Sequence, residues 1–184
     1  MYEVVEALRK RQSSRAIDPR PVEPEKIEAL VEAFRWSPST HNKQPWRLLL
    51  AESAETRAAW DAALDPLNLA WAPRAPVKLT IIGNPEEQPG WHGQHTYLLD
   101  CGLALQSLLI QACAMGLAVR ALIGWDEEKV RAAHRIPPPF RVAALVVAGY
   151  PCPVSELPEP VRQKELRQRV RKSREEIFFR DSLG

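Results

Sequence analysis

The sequence is poor in cysteine and glycine, and it has no large excess of charge of one sign. It contains 3 cysteines, 8 glycines and a formal net charge of +2 among 184 residues. Three cysteines cannot form a closed set of disulfides. Cys101 and Cys113, if they share a helix, lie about 18 Å apart, beyond the roughly 7 Å limit between bridged Cα atoms. These features argue against a disulfide-stapled secreted scaffold and favour reduced thiols in the cytoplasm.

The glycines do not have the spacing of the common nucleotide-binding loops. Neither a Gly-x-Gly-x-x-Gly turn nor a P-loop occurs, and no Gly-x-Ser-x-Gly segment marks a nucleophilic serine. His92 and His95 are three residues apart, but Gly93 between them disfavours a helical metal-binding face. We therefore expect no metal site, and any nucleotide has to be bound without a Rossmann or Walker fold.

A long apolar stretch at residues 98–118 raises the question of a membrane span. It contains Asp100, Gln106 and Gln111, and one aspartate at the centre of a span costs about 3 kcal/mol. The chain is 45% hydrophobic and 26% charged, which is typical of a soluble globular domain. Met1 is followed by a charged amphipathic stretch rather than an apolar signal core. We expect a buried helix in a cytoplasmic protein that makes no membrane contact.

Hydrophobic periodicity predicts a chain in which helices and strands are interspersed. The predicted strands are residues 46–50, 77–82, 117–123 and 142–147. Pro24 suits the first turn of one predicted helix, and Asp126 suits the N-cap of another. Residues 142–147 are apolar on both faces, which predicts a central strand. The tail follows a proline-rich linker and ends in Ile177-Phe178-Phe179, a short apolar piece that predicts a strand docked on a partner subunit.

Residues 11–15 place guanidinium and hydroxyl groups directly after the first predicted helix. Arginine provides fixed, permanently charged donors that suit a phosphate or the electron-rich edge of a ring. Taken alone, the segment is better explained by a solvated loop with surface ion pairs.

Residues 37–46 read Ser37-Pro38-Ser39-Thr40-His41-Asn42-Lys43-Gln44-Pro45-Trp46 and connect a predicted helix to a buried strand. Their amides and hydroxyls can match the donors and acceptors at the edge of a heteroaromatic ring. The prolines restrict the loop, which would hold those groups in place. As pure structure the segment is a well-capped loop, in which His41 fills space.

Together these segments resemble the nitroreductase superfamily of FMN-dependent NAD(P)H oxidoreductases, as one of its short members. Residues 11–15 are similar to its Arg-Arg-Ser-x-Arg motif, with Gln12 where the family has a basic residue. Residues 37–46 are similar to its Ala/Ser-Pro-Ser-x-x-Asn-x-Gln-Pro-Trp signature. Further matches follow in the same order: Asp100-Cys101-Gly102 opening the long helix, Gly116-Leu117 closing it, Gly149-Tyr150-Pro151, and the tail 171–178. The resemblance covers nearly the whole chain.

The resemblance implies an FMN site in which the cofactor carries the chemistry, so no catalytic side chain is assigned. The implied cofactor-binding residues are Arg11, Gln12, Ser13, Arg15, Pro38, Ser39, Thr40, Asn42, Gln44, Ile123, Gly124, Arg169 and Arg171. Residues 11–15 would hold the phosphate, the ribityl chain and the pyrimidine edge, with Arg15 stabilising the reduced flavin. Residues 38–42 would come from the opposite subunit, and Arg169 and Arg171 would return to the phosphate. Backbone groups of residues 123 and 124 would face the reactive ring nitrogen.

The resemblance also implies the fold and the assembly. The fold would be α+β, a three-layer α-β-α arrangement with a mixed, mainly antiparallel sheet and helices on both faces. Residues 1–160 would form the FMN-binding domain, and residues 161–184 an extension whose strand is exchanged in a homodimer. NADH or NADPH would reduce the flavin, and flavin N5 would pass the hydride to a nitroaromatic or quinone by a ping-pong mechanism.

Two other interpretations stay open on the residues alone. A non-catalytic flavin carrier or regulator would use the same binding residues. The basic tail between residues 162 and 174 could bind nucleic acid. Glu165 interrupts that tail, however, and it has no aromatic residue for base stacking before Phe178. We therefore expect no nucleic-acid partner.

Overall fold

The computed structural model describes residues 3–87, 90 and 92–183. Its helices are α1 (Glu6–Lys10), α2 (Pro24–Arg35), α3 (Ala54–Asp61), α4 (Pro66–Leu69), α5 (Thr96–Ala114), α6 (Glu127–His134) and α7 (Glu159–Glu165). Its strands are β1 (Trp46–Leu50), β2 (Val77–Gly83), β3 (Ala118–Leu122) and β4 (Arg141–Gly149). Single 3-10 turns lie at Thr40–Asn42, Ala72–Arg74 and Val154–Glu156. The expected α+β fold is confirmed.

The four strands form one sheet in the order β1-β2-β4-β3, and each neighbouring pair is antiparallel. β4 is a central strand, as its two apolar faces predicted. Trp46 at the start of β1 pairs with Gly83, and Gly83 pairs with Arg141. At the other end of β4, Ala148 pairs with Val119 of β3. This register fixes which loops lie at which corner of the sheet.

Alternate residues of β4 separate the interior into two cores. Val146 and Ala148 belong to a core completed by α2 and α5, whereas Leu145 packs in the opposite core with Trp60 of α3 and Val130 of α6. Because successive side chains of a strand point to opposite faces, one central strand supports both layers of helices. The expected three-layer α-β-α arrangement is therefore confirmed.

The helix boundaries follow local chemistry. Pro24 occupies the first turn of α2, and the Asp126 carboxylate accepts from the backbone N–H of Lys129 at the start of α6, as predicted. α5 starts at Thr96, earlier than the motif at Asp100 indicated. Asp100 consequently lies in the second turn of α5, where it is fully buried. The expectation that Asp100 opens this helix was wrong because the preceding residues extend it by another turn.

Within the described residues, α5 alone is long and apolar enough to cross a membrane, a test that the central helix of a soluble protein also passes. One face of α5 lies in the core through Ala104 and Leu108. Leu98, Leu99 and Leu103 on another face are exposed in the single chain. The helix is therefore buried on one side only, and its open side presents three leucines.

The tail differs from the sequence expectation. α7 crosses residue 160, and Val161 belongs to the same buried core as Trp60, so no break in packing occurs at residue 160. Ile177 lies in a turn, and Phe178 and Phe179 have no regular structure, so the strand expected there does not form in the single chain. The four-stranded sheet is antiparallel throughout, with one isolated parallel bridge between Ser13 and Val119. The exchange of a tail strand, and with it the mixed sheet, stays a prediction.

A polar cluster is buried between the sheet and the α3–α6 layer. The Lys78 ammonium donates to both carboxylate oxygens of Asp61, at 2.7 and 2.5 Å, and the Lys78 side chain is only 2% exposed. Beside it, the Thr80 hydroxyl accepts from the Trp60 indole N–H and contacts His134 Nε2. Burial lowers the pKa of Lys78, and Asp61 partly opposes that shift.

Asp61→Asn should destabilise the fold by about 3 kcal/mol at pH 7, because it leaves a buried ammonium without a counter-charge. The loss should shrink as the pH rises towards 10. A lysine with a lowered pKa can lose its proton in the folded state before it does so in the unfolded chain. Urea unfolding monitored by circular dichroism measures both effects. Glu32→Gln, which removes the exposed pair with Arg35, should cost less than about 0.5 kcal/mol, and equal losses in the two variants would contradict this prediction.

Candidate functional site

Residues 11–15 lie along the outer edge of β3. Ser13 forms a parallel bridge with Val119, and the Arg120 guanidinium donates to the Ser13 carbonyl at 2.6 Å. The Arg11 guanidinium donates to the Ser13 hydroxyl at 3.3 Å. The segment is therefore attached to the sheet through its backbone, which leaves its arginine side chains to line the adjacent space.

A cavity of about 250 Å³ opens beside this segment, and its wall is strongly cationic. The lining residues are Arg11, Gln12, Ser13, Arg15, Arg120, Lys164, Glu165, Arg167, Arg169 and Arg171. They include seven cationic side chains and one carboxylate. So many like charges around a small space repel one another, so the cavity is suited to an anion such as a phosphate.

The tail is held against the first segment. The Arg169 guanidinium donates to the Arg11 carbonyl at 2.7 Å and to the Arg9 carbonyl at 2.5 Å. Burial lowers the pKa of Arg11, and the nearby charges of Arg171 and Arg169 lower it further. The structure thus brings Arg11, Gln12, Ser13 and Arg15 together with Arg169 and Arg171, as the sequence analysis expected. Their contact with a cofactor stays a prediction.

The same cavity contains residues that the sequence analysis missed. Arg120 reaches it from β3, Lys164 and Glu165 reach it from the end of α7, and Arg167 lies two residues beyond that end. A charged residue inside the apolar strand Ala-Val-Arg-Ala-Leu was the available signal for Arg120. No comparable signal marked Glu165, which looked like one interruption of a basic tail.

Residues 37–45 form a loop with an unusual backbone. His41, Asn42 and Gln44 have φ values of 51°, 55° and 50°, in the left-handed region that side chains other than glycine rarely adopt. Such residues cost on the order of 1 kcal/mol or more each and cluster at functional sites. Inside the loop, the Gln44 backbone N–H donates to the Ser39 hydroxyl at 2.9 Å. Pro38 lies one residue before Ser39, in the same loop.

Asp100 anchors this loop to α5. One of its carboxylate oxygens accepts from both the backbone N–H and the hydroxyl of Thr40, each at 3.0 Å. The second oxygen is buried and has no hydrogen-bond partner among the described residues. The Gln44 side-chain amide donates to the Asn42 carbonyl and to its side-chain oxygen. The loop is therefore held by a buried carboxylate and by its own amides.

The two segments lie at opposite corners of the sheet. The loop enters β1 at Trp46, which is level with Arg141, whereas Ser13 bridges Val119, which is level with Ala148. Strand spacing and rise place these corners about 30 Å apart. The structure therefore does not bring Pro38, Ser39, Thr40, Asn42 and Gln44 to the cationic cavity of the same chain.

Ile123 and Gly124 follow β3 on the same edge as the cationic cavity. Their carbonyls accept from the Asn68 side chain at 2.8 Å and from the Asp65 backbone N–H at 3.1 Å. The Ile123 side chain is 85% exposed. Gly124 has a φ of 93°, and a Cβ at this position would lie 1.8 Å from an Asp65 carboxylate oxygen. The backbone here is thus fixed from one side while Ile123 projects outwards.

The other candidate groups do not form a catalytic cluster. No group of three or more His, Cys, Asp or Glu side chains that could hold a metal occurs in the part of the chain that the structure describes. His95 packs edge-on against Tyr97, with ring centroids 6.1 Å apart. Burial, with a contribution from Asp100, raises the pKa of Cys101 to about 12, so this thiol stays protonated and unreactive.

Comparison with known proteins gives one consistent result. The sequence model of the Nitroreductase family matches residues 8–91 and 58–150. A protein of Thermus thermophilus named NADH dehydrogenase is 27% identical, over 79% of this chain and 85% of its own length. A crystal structure described as an oxidoreductase containing FMN superposes with a TM-score of 0.87 at 27% identity, over 100% of this chain and 94% of that one. A nitroreductase family protein of Clostridium difficile has the same fold, with a TM-score of 0.78 at 24% identity, over 99% of this chain and 100% of that one.

Gly124→Ala should destabilise the protein by clearly more than Gly116→Ala. Both glycines have positive φ, at 93° and 73°, so both substitutions carry a cost of about 1–2 kcal/mol for the left-handed backbone. Only Gly124 would bring its Cβ against Asp65, whereas no atom lies within 4 Å of a Cβ at Gly116. Urea unfolding of the two variants measures the difference. Equal losses would mean that Asp65 moves aside without cost.

Proposed function

The chain belongs to the nitroreductase family, and on this basis we propose that it is an FMN-dependent NAD(P)H oxidoreductase acting as a cytoplasmic homodimer. The observation that carries the proposal is the cationic cavity between residues 11–15, β3 and the tail. A relative named NADH dehydrogenase and a structural neighbour described as containing FMN support the choice of cofactor and co-substrate.

The residues of the cavity fit FMN by charge and by position. Arg11, Arg169 and Arg171 surround a space suited to a phosphate dianion, because guanidinium groups bind phosphate oxygens in a fixed fork geometry. Ser13 adds a hydroxyl, and Arg15 lies two residues further along the β3 edge. Ile123 and Gly124 lie beyond Val119 on the same edge, which suits the far end of an elongated ligand. Gln12 lines the cavity in place of a further cation.

When bound, FMN would supply two-electron chemistry, accepting hydride at N5 from NADH or NADPH and then reducing an electrophile such as a nitroaromatic or quinone. The chain itself would contribute position and charge. Arg15 provides a fixed positive charge near the pyrimidine edge, where negative charge increases on reduction. The Ile123 side chain is exposed to solvent. A planar substrate could therefore reach the surface beside it. One open pocket that serves NAD(P)H and the acceptor in turn predicts ping-pong kinetics.

A second subunit completes the site in this proposal. Residues 38–44 lie too far from the cationic cavity of their own chain, yet their strained backbone indicates a functional loop. The leucines of α5 and the N-terminal residues Val4, Val5 and Leu8 are exposed apolar side chains that a partner would cover. A two-fold dimer would carry the loop of each chain to the cavity of the other.

The nucleic-acid alternative is less well supported than the sequence alone allowed. The Arg169 guanidinium is hydrogen-bonded to backbone carbonyls of the N-terminal segment. Arg167 lines the cavity, and Arg171 lines both the cavity and a larger groove beside α1. The tail therefore contributes its cations to a small concave site, which suits a phosphate group better than a duplex.

The purified protein should show flavin absorbance bands that bleach when NADH or NADPH is added without oxygen. The Arg169→Gln and Arg171→Gln double variant should bind FMN at least tenfold more weakly, because it removes two phosphate-binding cations. Fluorescence titration of the apoprotein with FMN measures this affinity. Lys172→Gln, outside the cavity lining, is the matched control and should bind as the wild type does. A protein that stays colourless after incubation with FMN contradicts the proposal, and bound flavin that neither co-substrate reduces indicates a carrier.

Mixed dimers should reveal whether the two segments that form one site come from different chains. One chain would carry Arg11→Gln with Arg15→Gln, and the other Asn42→Asp with Gln44→Glu. A shared site predicts that each variant homodimer binds little FMN, whereas the heterodimer regains one intact site and about one FMN per dimer. Two affinity tags allow the heterodimer to be isolated, and absorbance gives its flavin content. A flavin-free heterodimer would place both segments in the site of the same chain.

A further inference from the structure

Glu165 is the single carboxylate in the wall of the cationic cavity. One of its oxygens accepts from the Ser14 hydroxyl at 2.6 Å, and the other accepts from the Arg15 backbone N–H at 3.0 Å. The second oxygen also lies 3.6 Å from the Arg15 guanidinium, and the Glu165 side chain is 8% exposed. The end of α7 is therefore joined to the last two residues of the 11–15 segment by three polar contacts.

Arg120 and Trp71 complete this group. The Arg15 and Arg120 guanidinium groups lie 6.0 and 5.8 Å from the ring centroid of the buried Trp71. Burial lowers the pKa of Arg120, the charge of Arg15 lowers it further, and Glu165 opposes these shifts. Two cations are thus held close together by one aromatic ring and one carboxylate.

We propose that Glu165 is a positioning residue that holds Arg15 in place and that, together with Arg120, it sets the reduction potential of bound FMN. The inference rests on the proposed function, because it requires FMN in this cavity with its pyrimidine edge towards Arg15. It adds two residues, Arg120 and Glu165, that the family motifs in the sequence did not indicate.

These residues can change the reduction potential because reduction adds negative charge to bound FMN. Uptake of two electrons and one proton makes bound FMN more negative by one unit, and the added charge is spread over the pyrimidine edge. A nearby cation favours the reduced state, and a nearby carboxylate opposes it. Arg15 and Arg120 therefore raise the potential, and Glu165 lowers it while it fixes the direction of Arg15. The small exposure of the Glu165 side chain limits screening by water.

The test uses two single variants of the full-length flavoprotein with opposite expected effects. Glu165→Gln keeps one oxygen that can accept from the Arg15 backbone N–H and gains an amide that can donate to the Ser14 hydroxyl. It removes the charge, so reduced FMN should bind about tenfold tighter relative to oxidised FMN. A tenfold change in the ratio of the two affinities corresponds to a rise of about 30 mV in the midpoint potential of a two-electron couple. Arg120→Gln should shift the potential by a similar amount in the negative direction. Glu159→Gln on the exposed side of α7 is the matched control and should cause no shift.

Anaerobic titration of the bound flavin against a reference dye measures the potential, and FMN fluorescence measures the affinity of the oxidised form. Loosening of the site by any substitution moves the potential towards that of free FMN, so structural damage alone would shift both variants in one direction. Shifts of opposite sign therefore support the proposal. Equal potentials in wild type, Glu165→Gln and Arg120→Gln, or shifts of the same sign, would overturn it while leaving the FMN assignment intact. If Glu165→Gln does not fold, Arg120→Gln decides: a negative shift with unchanged affinity for oxidised FMN supports the proposal, and any other result overturns it. A wild type that binds no FMN overturns both proposals.

Discussion

Residues 11–15 lie along the free edge of β3, and the rest of the candidate site depends on that contact. An uncovered edge strand exposes backbone N–H and C=O groups. Here the Ser13–Val119 bridge and the hydrogen bond from Arg120 to the Ser13 carbonyl cover part of the edge. The same contact brings Arg11 and Arg15 to the place where the tail returns. The concentration of positive charge is thus a consequence of how one strand edge is covered.

The strand order determines what a single chain can bind. Because β2 and β4 separate β1 from β3, the loop before β1 and the segment beside β3 occupy opposite corners of the sheet. No side chain spans about 30 Å, so the two best-marked segments of the sequence cannot meet within one chain. A second chain would explain both features, because it would cover the apolar surface of α5 and use the strained 37–45 loop to complete its own site.

Local features were predictable from the sequence, whereas long-range ones were not. The Asp126 cap and the central strand β4 depend on neighbouring residues and were predicted correctly. The joining of Glu165 to Ser14 connects positions 151 residues apart, and no pattern in the tail indicates it. The apolar piece at residues 177–179 was expected to be a strand, but in the described structure it pairs with neither edge of the sheet, and a strand forms only by pairing.

The shape of the 37–45 loop is maintained from outside the loop. Three left-handed residues together cost about 3 kcal/mol or more, and the bonds of the Gln44 amide within the loop are partly exposed to water. Two hydrogen bonds to the buried Asp100 carboxylate contribute roughly 1.5–3 kcal/mol each, which is enough to offset that strain. Because Asp100 belongs to α5, the geometry of the loop is fixed by the core of its own chain before any partner arrives. A partner would therefore receive a rigid surface, and little binding energy would be lost in ordering it.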